Sequence, residues 1–250
     1  MRGPDPYAFA AGYYDLFRAK LGDEALPSVS FFTEFAPSDG YALEIGPGTG
    51  RATLAVAAKV AGLVCLERSA TMRAVLLAKL AERPHLQARV TVLDVAVPPF
   101  RLDRRFDYAY FGGVLEHIRP ADRPHLFRAV ADHLADGGLL AMDMVLRQPA
   151  PDFPERVVDE VTVGECRYEL AAAATALGPD ESQLTYIYRT FHEDRLLATE
   201  KVERRHNMHR PEPVLADLAA AGLAPAPGLV FAGVSAEDPG GVVVRKEASA

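Results

Sequence analysis

Cysteine is scarce in this chain: Cys65 and Cys166 are the two among 250 residues. Two thiols cannot build a disulfide framework, and Cys65 lies inside an apolar run, where a buried inert thiol is expected. Basic residues do not dominate either. With 27 Lys and Arg against 34 Asp and Glu, the net charge is −7, which argues against a nucleic-acid partner, because a phosphate backbone demands a concentrated basic surface. No apolar stretch approaches the roughly 18 residues of a membrane span, and the opening MRGPDPYAF lacks the uninterrupted apolar run of a secretory leader. There is no internal repeat and no low-complexity segment. These absences leave an expectation of a soluble, cytoplasmic chain with no membrane or nucleic-acid partner. About half of it is apolar (49%), enough for one sizeable core.

What is present centres on EIGPGTG, Glu44 to Gly50. Gly46, Gly48 and Gly50 alternate directly behind an apolar segment, Tyr41 to Ile45, and directly ahead of a helix-like stretch, Thr53 to Lys59. Without Cβ atoms such a loop can take positive φ and bring backbone N–H groups against a ligand. Strand, glycine loop and helix in that order place a nucleotide-like ligand at the edge of a parallel sheet.

In chain order, the proline- and glycine-rich residues 1 to 6 are expected to fray. Phe9, Tyr13, Leu16 and Phe17, then Leu26, Val29, Phe32 and Phe35, recur at helical spacing and predict two amphipathic helices. Strands follow at Tyr41 to Ile45, Leu63 to Leu66 (closing on Glu67), Val90 to Leu93 (closing on Asp94) and Phe106 to Phe111 (closing on Gly112 and Gly113). Ser69 is placed to cap a helix with a Met72, Leu76, Leu77, Leu80 stripe. Asp122 is placed to cap one carrying Leu126, Phe127, Val130 and Leu134. Gly137 and Gly138 would end that second helix before a fifth strand, Leu139 to Leu146. Helices alternating with strands over short connections imply right-handed crossovers and a parallel sheet covered on both faces. Beyond Leu146 the period changes. Val157 to Val163, Cys166 to Leu177, Leu184 to Phe191 and Leu196 to His206 predict an antiparallel meander, residues 150 to 208. A helix over Pro213 to Ala221 and a closing hairpin, Leu229 to Val234 with Val242 to Lys246, complete the main sheet.

The glycine loop, Glu67, Asp94, the FDYAYFGGVLEHI segment and the LADGGLLAMDM segment together resemble a class I S-adenosylmethionine (SAM)-dependent methyltransferase, over most of residues 7 to 147. The resemblance implies an α/β fold: a Rossmann-like, seven-stranded, mostly parallel sheet with helices on both faces, plus the added meander. It divides the chain into an N-terminal helical lid (1–38), a SAM-binding core (39–149 and 209–250) and an inserted sheet (150–208). The glycines read G-x-G-x-G, not the G-x-G-x-x-G that cradles a dinucleotide pyrophosphate.

Glu67, 17 residues after Gly50, emerges at the end of the neighbouring strand, where a carboxylate can accept both ribose hydroxyls. Its neighbour Arg68 is included in the cofactor set. By resemblance, Asp94 with the Val95 backbone meets the adenine, and Glu44 supports the loop and faces the cofactor ammonium. Phe111 and Gly112 offer carbonyls to that ammonium, and Tyr14 folds over the cofactor with Tyr13 as its core partner. Methyl transfer from a sulfonium needs alignment and water exclusion more than covalent help. A base is required when the acceptor is a hydroxyl or an ammonium, and His117 is the first candidate, with His206 and His209 behind it; each is also readable as a packing histidine. No Cys/His zinc pattern occurs, and Asp143 is a poor magnesium ligand, so no metal is expected. An N-P-P-Y-type signature is absent after the fourth strand, where FGGV stands, and Tyr168, Tyr186, Tyr188 and Phe191 could form an aromatic lid. The expected activity is methylation of N or O on a small molecule, such as a secondary metabolite. The meander is equally readable as a homodimer interface. A catalytically inactive SAM-binding partner protein and an NAD-dependent oxidoreductase remain open.

Overall fold

The computed structural model describes residues 5, 7–18, 27–143, 152–225, 232–234 and 239–248. Helices α1 (Ala10–Arg18) and α2 (Pro27–Phe35) precede β1 (Tyr41–Ile45), α3 (Arg51–Ala57), β2 (Gly62–Leu66), α4 (Ala70–Ala81), a short α5 (Pro84–Gln87), β3 (Val90–Leu93), β4 (Phe106–Phe111), α6 (Arg123–His133) and β5 (Leu134–Asp143). The pairs β1·β2, β1·β4, β2·β3 and β4·β5 are all parallel. Such a sheet must be covered on both faces. On one face Phe32, Val56, Ala57, Leu76 and Leu80 pack over Tyr108 and Tyr110. On the other, Leu126, Phe127, Val130, Val214 and Leu218 pack over Leu43, Ile45 and Phe111. Alternation along β1 therefore turns Glu44 toward α3 and Leu43 away from it.

The meander follows as β6 (Phe153–Val163), β7 (Cys166–Gly178), β8 (Glu181–His192) and β9 (Arg195–Asn207), an antiparallel sheet paired in sequence order. Its last turn is two residues, with positive φ at Glu193 and Asp194, the mirror-image turn whose twist matches a hairpin. Tyr13 and Phe17 of α1 lie against Tyr188 and Tyr168 of this sheet, and Tyr13 Oη is 3.0 Å from Thr190 Oγ1. The chain returns through α7 (Pro211–Ala220), β10 (Leu223–Pro225), β11 (Ala232–Val234) and β12 (Pro239–Lys246).

Several expectations are corrected. The main sheet runs β3-β2-β1-β4-β5-β12-β10, with β11 as an eighth strand on β12. The edge is therefore β10, a three-residue strand too short to show a period, and β12 lies inside between β5 and β10. The residues 229–231 expected in the hairpin, and 144–146 expected in the fifth strand, lie outside the described residues. Gly137 and Gly138 do not end a helix. α6 stops at His133, β5 starts at the buried Leu134 opposite Phe106, and the glycines sit where the register slips before Leu139 meets Tyr108; Gly137 takes φ +78 there. Asp122 holds the N-cap position of α6, but its carboxylate is drawn to Arg119 Nε at 2.7 Å and caps nothing. Ser69 does cap α4, accepting from Met72 N–H at 3.2 Å, whereas Leu77 of the expected stripe is 53% exposed. Cys65 is buried and Cys166 partly so.

Candidate active site

At the carboxyl ends of β1, β2, β4 and β5 a cavity of about 710 Å³ opens between the main sheet, α1 and the end of β9, within the range of roughly 300–1,000 Å³ typical of small-molecule sites. One wall is the glycine loop, with φ of +65 at Gly46, +58 at Gly48 and +88 at Gly50. A Cβ at Gly46 would stand 2.6 Å from Val114 Cγ2 and one at Gly50 would stand 2.3 Å from Leu76 Cδ1. At Gly48 it would meet nothing within 4 Å, so the missing side chain there leaves room on the cavity side.

Two acids frame the loop. Glu67 closes β2 and takes one backbone N–H on each oxygen, Gly48 at 3.0 Å and Ser69 at 2.7 Å. A carboxylate has about four lone-pair sites, so both oxygens keep capacity for hydroxyls. Burial lifts its carboxyl above the usual value, against the pull of those N–H groups. Glu44 is buried beneath the loop, accepting from Thr53 Oγ1–H at 2.6 Å, and burial pushes it up to about 7. The α1 side is tied down from several directions. Thr49 of the loop donates to Asp15 Oδ1 at 2.7 Å, and Lys79 of α4 lies 2.7 Å from Asp15 Oδ2. Of the stretch expected to fray only Asp5 is described; it accepts from Tyr7 N–H at 2.9 Å and from the hydroxyls of Ser69 at 2.9 Å and Thr71 at 3.2 Å.

The opposite end is built from a 3-10 turn at Leu115–His117 and from β9. Tyr7 Oη and His117 Nε2 are 2.9 Å apart, and the His117 and His206 rings meet edge to face at 5.2 Å. Arg204 stacks over the Tyr7 ring at 3.9 Å and also faces Tyr186. Burial, then the Arg204 charge, pushes His117 down to about 4. Asp143 of β5 lies on this side. Both its oxygens accept the Gly113 N–H, at 3.0 and 2.8 Å, and among the described residues no Lys or Arg forms an ion pair with it. Burial, and then the nearby Glu116 carboxylate, raises Asp143 to about 7.

Of the residues expected at the site, Tyr14, Glu44, Gly46, Gly48, Glu67, Arg68, Val95, Gly112, His117, His206 and His209 line this cavity. Gly50, Asp94 and Phe111 do not. Gly50 packs against Leu76, and the Phe111 side chain is in the core. Asp94 is held 3.1 Å from Arg73 Nη1, which also donates to the Glu67 carbonyl at 2.7 Å. Tyr14 faces the cavity while Tyr13 faces the meander. Sequence reasoning missed Tyr7, Arg204 and the cavity role of Asp143. Asp143 fell inside the expected fifth strand, Leu139 to Leu146, where no strand-end signal marks it; the other two carry none, because the fold alone brings their segments together.

Residues 43–140 match a family described as a methyltransferase domain. No curated protein sequence matches the chain. Among solved structures, the chain is similar to the sugar N-methyltransferase KedS8 of Streptoalloteichus sp ATCC 53650, over 94% of this chain and 93% of that one, at 22% identity and a TM-score of 0.74. DesVI of Streptomyces venezuelae is similar over 98% and 99%, at 16% identity and 0.73. CalS10 of Micromonospora echinaspora, an amino pentose methyltransferase solved with SAM bound, is similar over 94% and 96%, at 18% identity and 0.70. The strand order, the glycine loop and these likenesses agree: the chain has the class I SAM-dependent methyltransferase fold, and its residues 43–140 match the methyltransferase-domain family.

Proposed function

We propose that this protein transfers a methyl group from SAM to a nitrogen atom of a small molecule, an amine on a sugar or a similarly polar metabolite. The observation that carries this reading is one cavity joining two chemistries. The glycine loop and Glu67 lie at one end, and Asp143, Glu116 and His117 lie at the other. The cofactor fits the first end. Gly48 leaves space where a side chain would stand, and Glu67 holds acceptor capacity for a diol. The bound cofactor would supply an electrophilic methyl on a good leaving group. The chain's own residues would do the rest. Gly46, Gly48, Glu67, Arg68 and Val95 hold the donor, α1 brings Tyr14 over it, and α1 with β9 keeps water out.

Two acids at the acceptor end, Asp143 and Glu116, form no ion pair with Lys or Arg among the described residues, and they favour a cationic ammonium over a hydroxyl. Such an ammonium must lose a proton before its lone pair can attack. Asp143, near 7, is matched to that task at neutral pH; His117, near 4, is already neutral there and a weaker base. Two similar structures are described as a sugar N-methyltransferase and an amino pentose methyltransferase, which supports the amine. Residues 1–38 then act as a lid, and 150–208 as a substrate cover. The test pairs calorimetry with turnover. S-adenosylhomocysteine (SAH) should bind and NAD should not, and amino sugars should gain a mass of one methyl where their hydroxy counterparts do not. Binding of NAD in place of SAH would overturn the reading in favour of a dehydrogenase. SAH binding without turnover on any acceptor would instead support a regulatory SAM-binding protein.

A further inference from the structure

We propose that His209 is a positioning residue for the methyl-transfer site: locked by Arg123 and Asp217, it holds the turn that presents Glu116 and His117 to the cavity. The inference rests on the functional reading above, and it assigns His209 a task different from the proton transfer first considered for it. His209 is buried just past β9, 7% exposed, and every ring nitrogen is engaged. Its Nε2 lies 2.8 Å from the Leu115 carbonyl and 3.0 Å from the Ile118 carbonyl, and its Nδ1 lies 2.8 Å from Arg123 Nη1. A guanidinium can only donate and a carbonyl can only accept. The ring is therefore neutral, with the proton on Nε2 and the lone pair of Nδ1 turned to Arg123.

Arg123, at the start of α6 and 5% exposed, is oriented in turn by Asp217 of α7, at 2.8 Å from Nε and 2.6 Å from Nη2. Asn207 adds a second grip from the same strand end, donating from Nδ2 to the Glu116 carbonyl at 3.0 Å. A 3-10 turn of three residues has little stability of its own. Here its carbonyls before and after His117 are clamped to β9, while Tyr7 holds the His117 ring from outside. The groups facing His209 are Arg123 from α6 and Glu116 from the turn. Burial, then the Arg123 charge, holds the ring's proton affinity below the ordinary histidine value, which keeps the accepting tautomer intact at neutral pH.

The readout is the titration of the His117 ring, followed by proton NMR on the full chain with SAH present, alongside SAH calorimetry and thermal unfolding. Burial in this setting, and then the Arg204 charge, pushes His117 down to about 4. His209→Ala frees the turn, and the midpoint is expected to rise by about one unit or more toward the ordinary value. His209→Gln keeps one donor and one acceptor and should stay within about half a unit of the parent. Asp217→Asn, at the partly exposed end of the relay, keeps the protein folded and should shift His117 the same way by less. SAH affinity should stay within about threefold in all three. An unchanged His117 midpoint in a folded His209→Ala protein overturns the proposal. If that variant does not fold, an unchanged midpoint in Asp217→Asn does so. Failure of the parent to bind SAH would sink the functional reading alone, since the His117 titration still reports on the clamp.

Discussion

At the scale of single residues, the site depends on what is missing from the loop as much as on what is charged. Gly48 holds φ +58 with open space beside it. A branched side chain there suffers twice, from a left-handed backbone that costs on the order of 1–2 kcal/mol and from methyl groups pointed into the ligand's volume. Gly48→Val should raise the calorimetric Kd for SAH at least about tenfold. Glu67→Ala deletes two charge-assisted acceptors and leaves the Gly48 and Ser69 N–H groups without their carboxylate. A loss of about 10- to 100-fold is expected by the same measurement, and parent-like binding in both variants would remove the loop from the site. Asp143 carries a kinetic prediction. With a carboxyl near 7, kcat/KM on an amine acceptor should climb as pH rises from about 6 to 8 and then level off. Asp143→Asn should flatten that rise and lower the plateau about 10²-fold or more. A parental profile in that variant would return proton transfer to His117. Glu67 was legible from sequence as an acid closing a strand beside a glycine loop, whereas Glu44, inside β1, was marked by resemblance alone. Tyr7 was not legible, since one aromatic in a proline-rich stretch carries no period.

Elements add what residues cannot show alone. α1 is a short helix, so its position depends on tertiary ties. Asp15 supplies two, to Thr49 in the glycine loop and to Lys79 on α4. Both are partly exposed, so together they contribute on the order of 1 kcal/mol. Asp15→Ala should accordingly raise the SAH dissociation rate in stopped flow about three- to tenfold and move the melting temperature little. A rate equal to the parent's would mean that α1 does not restrain the ligand. Strands β1, β3 and β4 begin and end where their apolar runs do. β5 does not, because Leu134 answers to Phe106 across the sheet before the Gly137–Gly138 bulge lets Leu139 align with Tyr108. No one-dimensional pattern marks such a slip, and glycines after a helix read more simply as its stop.

For the whole molecule, buried acids set a pH signature. Glu44 has a folded-state value of about 7 against 4.5 for the free group. The folded protein therefore binds more protons than the unfolded chain between those values, and the stability this group contributes is full below about 4.5 and is lost as pH rises through about 7. His117, lowered from 6.5 to about 4, has the opposite slope over nearly the same window, so the useful measurement is a difference. In calorimetric melts of the ligand-free protein, Glu44→Gln should gain on the parent from about pH 5 to 7 and level off above that. A constant gap would show that Glu44 is not buried as described.

Sequence by itself determined the parallel core, the four-stranded meander, the glycine loop and the acids framing it. Each is a local rule: a period of 2 or 3.6, a residue that tolerates positive φ, or a carboxylate at a strand end. Only the tertiary structure decided that β12 lies inside the sheet and β10 at its edge, that Asp94 pairs with Arg73, and that Tyr7, Asp143, Arg204 and three histidines converge. Those outcomes depend on which distant surfaces can be buried together and on which charges then lose their water. Neither quantity exists until the chain has folded back on itself.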